Sequence, residues 1–319
     1  MRDPKSLAAS ALAGLFLALA ACGASWGERL PIGNAPLPRS PNVSVYQIEG
    51  DAIPEASGLA RSHRASDILW IHNDSGGGSQ IYAISTTGQF LGMLRISDAA
   101  SIDWEDIASF VYRGTAYLMV GDIGDNFGIR PGIQFYVIEE PDLSALRSTG
   151  KPFSLTVSTA WQFSAEYPDG PRDCEGLAVD AANGRLYLLT KRDTPPRLYS
   201  LPLLGTAVAT ADLEGEVATI PPPTQEDLRE LFGDNRNQPT ALDFSPGGDF
   251  IYVVTYKNAY RYVVSPGQSW IESLAQAPAV IELPQLPQTE AGTVAADQRS
   301  VFAASERLPA ALVQYRFSE

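Results

Sequence analysis

The sequence predicts an all-β chain made of five copies of one antiparallel unit. Three observations carry this. Past residue 42 almost nothing has helical period. Short runs rich in Val, Ile, Leu, Tyr and Phe alternate with Gly, Pro, Asn and Asp clusters. One pattern also recurs along the chain: a polar start, then small and aliphatic residues, then an apolar run. Four antiparallel strands per copy, repeated around a closed ring, is the pattern of a β-propeller.

The strand that opens each copy follows Glu55-Ala56-Ser57-Gly58-Leu59-Ala60, Asp103-Trp104-Glu105-Asp106-Ile107-Ala108 and Asp173-Cys174-Glu175-Gly176-Leu177-Ala178. Weaker copies are Gln238–Asp243 and Glu290–Ala295. Second strands are expected at Ile68–His72, Tyr117–Val120, Leu186–Thr190, Ile251–Thr255 and Val301–Ala304. The step from Leu59 to His72 is 13 residues, and it recurs from Ile107, Leu177 and Leu242; the fifth copy reads shorter. Turn residues such as Asn183-Gly184 and Gly247-Gly248 separate the first two strands. Third strands are Ile81–Ser85, Gln134–Glu139, Leu198–Leu201, Tyr260–Val264 and Leu312–Phe317. A fourth type precedes each copy: Val43–Ile48, Phe90–Ile96, Phe153–Phe163, Glu216–Ile220 and Ala279–Leu283. The first of these lies ahead of the first copy, so it is expected to complete the last blade and remove the open edges. Copies are spaced by 48, 70, 65 and 52 residues. The long second and third spacings leave room for a sixth blade, although five are countable.

Arg2 and Lys5 precede the apolar run Leu7–Ala21, which is too short and too Ala-rich for a comfortable membrane span. The run ends Leu19-Ala20-Ala21-Cys22, which resembles a bacterial lipobox. That resemblance implies a signal peptide over 1–21 and a lipidated Cys22. A flexible Pro-, Gly- and Ser-containing tether reaches residue 42, and the propeller domain spans 43–319. Gly23 follows the Cys, so outer-membrane anchoring facing the periplasm is expected. Gly23-Ala24-Ser25-Trp26-Gly27 spells a hydrolase elbow but lacks the flanking strand and helix such an elbow needs.

The formal charge is −14, with only 2 His. Such a chain repels phosphate backbones, so nucleic acid is not an expected partner. A monomer with a membrane tether is expected. Two Cys exclude a disulfide framework. Cys174 sits between Asp173 and Glu175, which work against a thiolate.

In a propeller, the start of each inner strand and the end of its neighbour lie on one face, because the two run antiparallel. Glu55, Asp103, Glu105, Asp173 and Glu175 stand at strand starts. Asn73-Asp74, Asp122, Asp125-Asn126, Lys191-Arg192, Lys257 and Glu306-Arg307 follow second strands. All are expected at one mouth of the channel. Such carboxylates can bond backbone N–H groups, or share a cation that relieves their repulsion. With so few His, hard oxygen ligands point to Ca²⁺ or Mg²⁺ rather than zinc. His72 ends a second strand and is a candidate acid or base. Thr224–Asp227 reads as a capped short helix on the same face.

Glu-x-Ser-Gly-Leu-Ala at 55–60, His-Asn-Asp-Ser-Gly at 72–76, Asp-Trp-Glu-Asp-Ile-Ala at 103–108, Gly-Asp-Ile-Gly-Asp-Asn at 121–126 and Asp-x-Glu-Gly-Leu-Ala-x-Asp at 173–180 resemble secreted bacterial propellers of the phytase-like (esterase-like) kind. These are similar to calcium-dependent propellers that include lactonases. The resemblance implies a Ca²⁺ site with Glu55, Asp103, Glu105, Asp122 and Glu175 as ligands. It also implies Lys191, Arg192 and Lys257 as contacts to an anionic substrate, with Asp74 beside them at the mouth. The expected chemistry is metal-assisted hydrolysis of an ester, lactone or phosphoester, with Glu105 or His72 as general base. The dense Asp- and Lys-rich calcium motifs of phytases are not present. The alternative is a non-catalytic propeller whose rim docks a periplasmic protein or cell-envelope component.

Overall fold

The computed structural model describes residues 42–318, except 75, 149, 206 and 207. The expected leader, Cys22 and the tether up to residue 41 lie outside the described residues.

Among the described residues the strands form five sheets, one per expected copy, with no sixth. The inner strands are Ala56–Arg61, Trp104–Tyr112, Cys174–Asp180, Pro239–Phe244 and Thr289–Val294, in blades one to five. Each pairs antiparallel with the strand that follows it. Val43–Gln47 pairs antiparallel with Ala311–Arg316, the third strand of blade five, and completes that sheet as expected.

The expected fourth-type strand Phe153–Phe163 is two strands. Phe153–Val157 adds in parallel to Phe90–Ile96 on blade one, while Trp161–Glu166 pairs with Ile133–Glu139 on blade two. The chain crosses between blades at Thr159, whose N–H and hydroxyl both donate to Asp98. That crossing accounts for part of the long second spacing. The next outer strand is Asp212–Glu216 rather than Glu216–Ile220. Val217 and Ile220 instead turn into the apolar layer between blades three and four, with Leu189, Leu242 and Leu274.

Every inner strand carries a one-residue bulge at the same place. The residues just before it pair as Ala56 with Asn73, Trp104 with Asp122, Cys174 with Thr190, Pro239 with Thr255 and Thr289 with Ser305. The bulge residues are therefore Ser57, Glu105, Glu175, Thr240 and Glu290. All five are buried. This register corrects the fifth copy. Gly292, not Val294, occupies the place of Leu59, and the fifth hairpin is no shorter than those of blades three and four. An apolar side chain is not needed there, because a Cβ on Gly292 would sit 2.3 Å from Val254 Cγ2.

The residue after the second bulge fills the channel. Asp106 accepts hydrogen bonds from its own neighbour Ile107 N (2.8 Å), from Leu177 N of blade three (2.8 Å) and from Leu242 N of blade four (3.3 Å). Elsewhere in the channel, Asp243 of blade four accepts from Arg61 of blade one and from Thr293 Oγ1 and Val294 N of blade five, each at 2.8 Å. Two carboxylates thus join the inner strands of all five blades. Apolar layers fill the space between sheets, with Trp70 and Trp104 fully buried between blades one and two.

Replacing Asp106 by Ala strips the acceptor from three buried N–H groups, at roughly 1–3 kcal/mol each. Denaturant unfolding of Asp106→Ala should show a loss of about 3 kcal/mol or more, and Asp106→Asn a smaller one. A wild-type midpoint for the Ala variant would contradict this role.

Candidate cation site at the channel mouth

The five bulges lie at the starts of the inner strands, so they face the mouth together. Ser57 Oγ donates to the Glu105 carbonyl (2.7 Å) and reaches its carboxylate (3.3 Å); Thr240 Oγ1 donates to the Thr289 carbonyl (2.9 Å). The hydroxyl bulge residues thereby link neighbouring blades. The carboxyl ones converge. Asp74, Asp103 and Glu105 bring oxygens within 4.8 Å of one another, and so do Glu105, Asp173 and Glu175. Glu105 belongs to both triads. Asp74 and Asp103 are half-buried at the solvent edge, while Glu105, Asp173 and Glu175 are buried.

Burial pushes the Glu105 carboxyl well above the usual carboxylate range, reinforced by Glu175 and Asp74. Asp103 is raised by burial, with Asp173 and Asp122 adding to it against the pull of Arg130. Burial also raises Glu175 well above the usual range, against the pull of Lys191. A second acidic pair stands in blade five, where burial and a hydrogen bond with Glu290 push Glu306 up to about 10. Carboxylates crowded this way must share protons or a cation.

Gly124 shapes the outer triad. A Cβ there would lie 2.2 Å from Glu105 Oε1 and 2.6 Å from Asp103 Oδ2, so the two carboxylates rest against its bare Cα. The loop before Asp103 is set by Asp122, whose carboxylate accepts from Ile102 N (3.0 Å) and Asp103 N (3.1 Å) and is held by Arg130 at 2.6 Å. Asp125 accepts from Ile129 N and Arg130 N and fixes the loop that carries that arginine.

The structure thus brings together Asp74, Asp103, Glu105, Asp173 and Glu175, all placed at the mouth from sequence, with Asp173 joining a triad although it was not among the expected ligands. Asp122 is fully buried and positions the Asp103 loop instead of joining a triad. Glu55 is exposed and also stands outside both. His72 is sealed between blades one and two, edge-on to Trp104, with Nδ1 against the Asn73 carbonyl (2.9 Å). A Cβ on Gly58 would strike its Nε2 at 2.3 Å, and burial lowers its pKa to about 4. It is therefore a neutral packing residue at physiological pH.

The three expected anion contacts are all engaged internally. Lys191 pairs with Glu175, Arg192 with Asp173 at 2.6 Å, and Lys257 with both oxygens of Asp227 at 2.7 and 2.9 Å. Asp227 stands in the short helical turn Asp227–Arg229, where it exchanges hydrogen bonds with Thr224 as a capped turn should. Glu290 and Gly124 were not legible as site residues, while Glu306 was placed at the mouth without a role. Aligning the fifth copy on its bulge, two residues earlier, would have placed Glu290 beside Glu105 and Glu175.

An all-oxygen donor set, two triads sharing one member and a cradle cleared by a glycine fit a hard cation such as Ca²⁺ or Mg²⁺. Among the described residues, no Lys or Arg forms an ion pair with Asp103 or Glu105. The compensated carboxylates are Asp173 and Glu175, which makes the outer triad the better place for a cation.

No protein-family model matches the chain, and no curated protein matches it. Among solved structures it is similar to a luciferin-regenerating enzyme, with a TM-score of 0.45 and 9% identity over 86% of this chain and 97% of that one. A chain from a nidogen/laminin complex matches with a TM-score of 0.39 and 15% identity, over 82% and 80%. The Cps50 (Swd1) β-propeller domain of Myceliophteria thermophila matches with a TM-score of 0.38 and 12% identity, over 83% and 66%. Scores this low support no inference about this chain, whose propeller rests on its own strand pairing.

Gly124→Ala should fold, because the atoms it crowds are the far ends of two side chains, but it should displace both carboxylates. A saturating cation at a hundredfold excess over its dissociation constant stabilises a fold by about 2.7 kcal/mol. For a domain of this size that is a rise in melting temperature of roughly 5–10 °C. Calcium titrated into chelator-treated wild type should produce that rise, and Gly124→Ala should lose most of it. Exposed Glu139 is the fitting control. Its neighbour Glu140 is no control, because it is buried and accepts from Trp70 Nε1 (2.9 Å) and His63 N (3.0 Å).

Proposed function

We propose that the protein is a lipid-anchored, periplasm-facing propeller that hydrolyses an ester or phosphoester at its acidic mouth with the help of Ca²⁺ or Mg²⁺. The observation that supports this most is the outer triad. Asp74, Asp103 and Glu105 would hold the cation, and two of the three, Asp74 and Asp103, are only half-buried. A purely structural cation is wrapped by protein oxygens, whereas a working one keeps a side open to ligand. When bound, such a cation supplies polarisation of the scissile bond and acidification of a water.

The chain's own groups divide the remaining work. Asp122 and Arg130 hold the Asp103 loop in place. His72, sealed between the blades, is not placed to accept a proton at the mouth. Lys191 and Arg192 neutralise Glu175 and Asp173 and so confine the uncompensated charge to the open side.

A second reading, docking of a protein or envelope component without catalysis, is favoured by exposed apolar tips on the same face. Phe127 and Ile129 stand beyond the second strand of blade two, and Leu231 and Phe232 follow the turn tied to Lys257.

Assays on phosphoester, ester and lactone panels separate the two. Turnover should require added Ca²⁺ or Mg²⁺, and Asp103→Asn, which removes a cation ligand, should lower it by roughly 10-fold or more. No turnover on any panel, with the calcium-dependent melting shift intact, would hand the mouth to the docking reading.

The anchor is tested separately. Cys22→Ser should release the protein from the membrane fraction into the soluble one, and unchanged membrane association of that variant would refute lipidation.

A further inference from the structure

Arg236 precedes the inner strand of blade four, and its side chain is only 18% exposed. A guanidinium cannot shed its proton and carries five N–H donors, so a largely buried one is normally hydrogen-bonded. This one is not. Among the described residues its side chain makes no hydrogen bond, its Nε is buried without an acceptor, and its one ion pair is a long one, from Nη2 to the exposed Glu230 at 3.5 Å. Leaving a buried N–H such as Nε without an acceptor is costly, and a long pair to an exposed carboxylate offsets little of that.

Arg236 lines a groove of about 310 Å³ on the mouth side of blade four. The other walls are Tyr256, Lys257 and Asn258 from the end of the second strand, and residues 282–286 on the way to blade five. Lys257 is committed to Asp227, and Glu282 is exposed. Arg236, held only by its long pair to exposed Glu230, is therefore the least committed cation of the groove. Tyr256 links the groove to the acidic mouth. Its ring forms a wall of the groove and lies 4.9 Å from the Nζ of Lys191, which is itself paired with Glu175.

We propose that this groove is a binding subsite for an anionic group, a carboxylate or a phosphate, received by Arg236 and belonging to the ligand whose other end meets the mouth. The last clause rests on the hydrolase reading; the anion subsite stands on Arg236 and the groove. Arg suits the task, since its planar fork matches carboxylate and phosphate oxygens two at a time. The apolar neighbours Leu283, Pro284 and Leu286 give the carbon skeleton of such a ligand a surface. The substrate class this implies is an ester bearing a second, remote anionic group.

Calorimetric titration of the full chain in chelator, with inorganic phosphate and separately with succinate, tests the subsite without the mouth's cation. At least one anion should bind saturably. That binding should weaken at least tenfold in Arg236→Gln and in Gln285→Trp, which fills the groove from its exposed rim and covers the case that the arginine variant does not fold. Glu105→Gln should retain it. Binding of phosphate alone assigns the subsite to a phosphate-bearing ligand, and of succinate alone to a carboxylate-bearing one; both support it. Absence of saturable binding, binding unmoved by either groove variant, or an equal loss in Glu105→Gln overturns the proposal. None of these outcomes touches the calcium-dependent melting shift, so failure of the subsite and failure of the cation site are told apart.

Discussion

One carboxylate holds the centre of this ring. Asp106 receives N–H donors from the inner strands of blades two, three and four, in a channel that those strands already line with their own backbones. A propeller's inner strands are edge strands. Their N–H groups have a sheet partner on one side only, and water cannot serve them in a narrow channel. Asp106 and Asp243 supply the missing acceptors from within, and Arg61 balances the second. Burial pushes the Asp106 carboxyl well above the usual range, against the pull of the three N–H groups that favour its charge. The blades can close tightly only because these acceptors are present.

The bulge one residue earlier turns that structural device into a site. Without the extra residue, side chains at 105 and 106 would alternate between the two faces of a regular strand. With it, Glu105 is released to the mouth while Asp106 remains in the channel. Bulges recur beside active sites for this reason: they re-aim a side chain without breaking the sheet. Five in register would make a ring of whatever residues occupy them. Here the occupants are three glutamates and two hydroxyl residues. Ser57 and Thr240 use their hydroxyls on neighbouring backbones, so the charge gathers on blades two, three and five.

Much of the fold was legible because repeats, turns and β-periodicity are local. The inner, second and third strands fell where the apolar runs placed them, and Val43–Gln47 closed the ring. The errors have a common cause, which is that partners distant in sequence are invisible to it. Phe153–Phe163 reads as one run because nothing local marks the contact with Asp98 that splits it. Lys191, Arg192 and Lys257 read as cations waiting for an anion because Glu175, Asp173 and Asp227 cannot be assigned to them from spacing. Asp122 reads as a ligand by its place at a strand end, yet Arg130 and two backbone amides claim it. Glu290 was hidden by Gly292, which removed the aliphatic landmark used to align the fifth copy. Arg236 has no motif at all; only a buried Nε without an acceptor marks it.

The asymmetry of the mouth follows from what ends each second strand. Glu105 and Glu175 occupy equivalent bulges in adjacent blades and would be equal in isolation. Blade three ends its second strand in Thr190 and follows it with Lys191, whose ammonium falls on Glu175. Blade two ends in Asp122, which Arg130 turns aside, and follows with Gly124, which leaves room for the carboxylates of Asp103 and Glu105. A buried carboxylate with a buried ammonium has its counter-charge and gains little from a second cation. A pair without one remains costly until a proton or a metal ion arrives. The same ring of bulges therefore produces a satisfied ion pair on one side and a demand for positive charge on the other. That demand lies at the solvent edge, where a ligand can reach it.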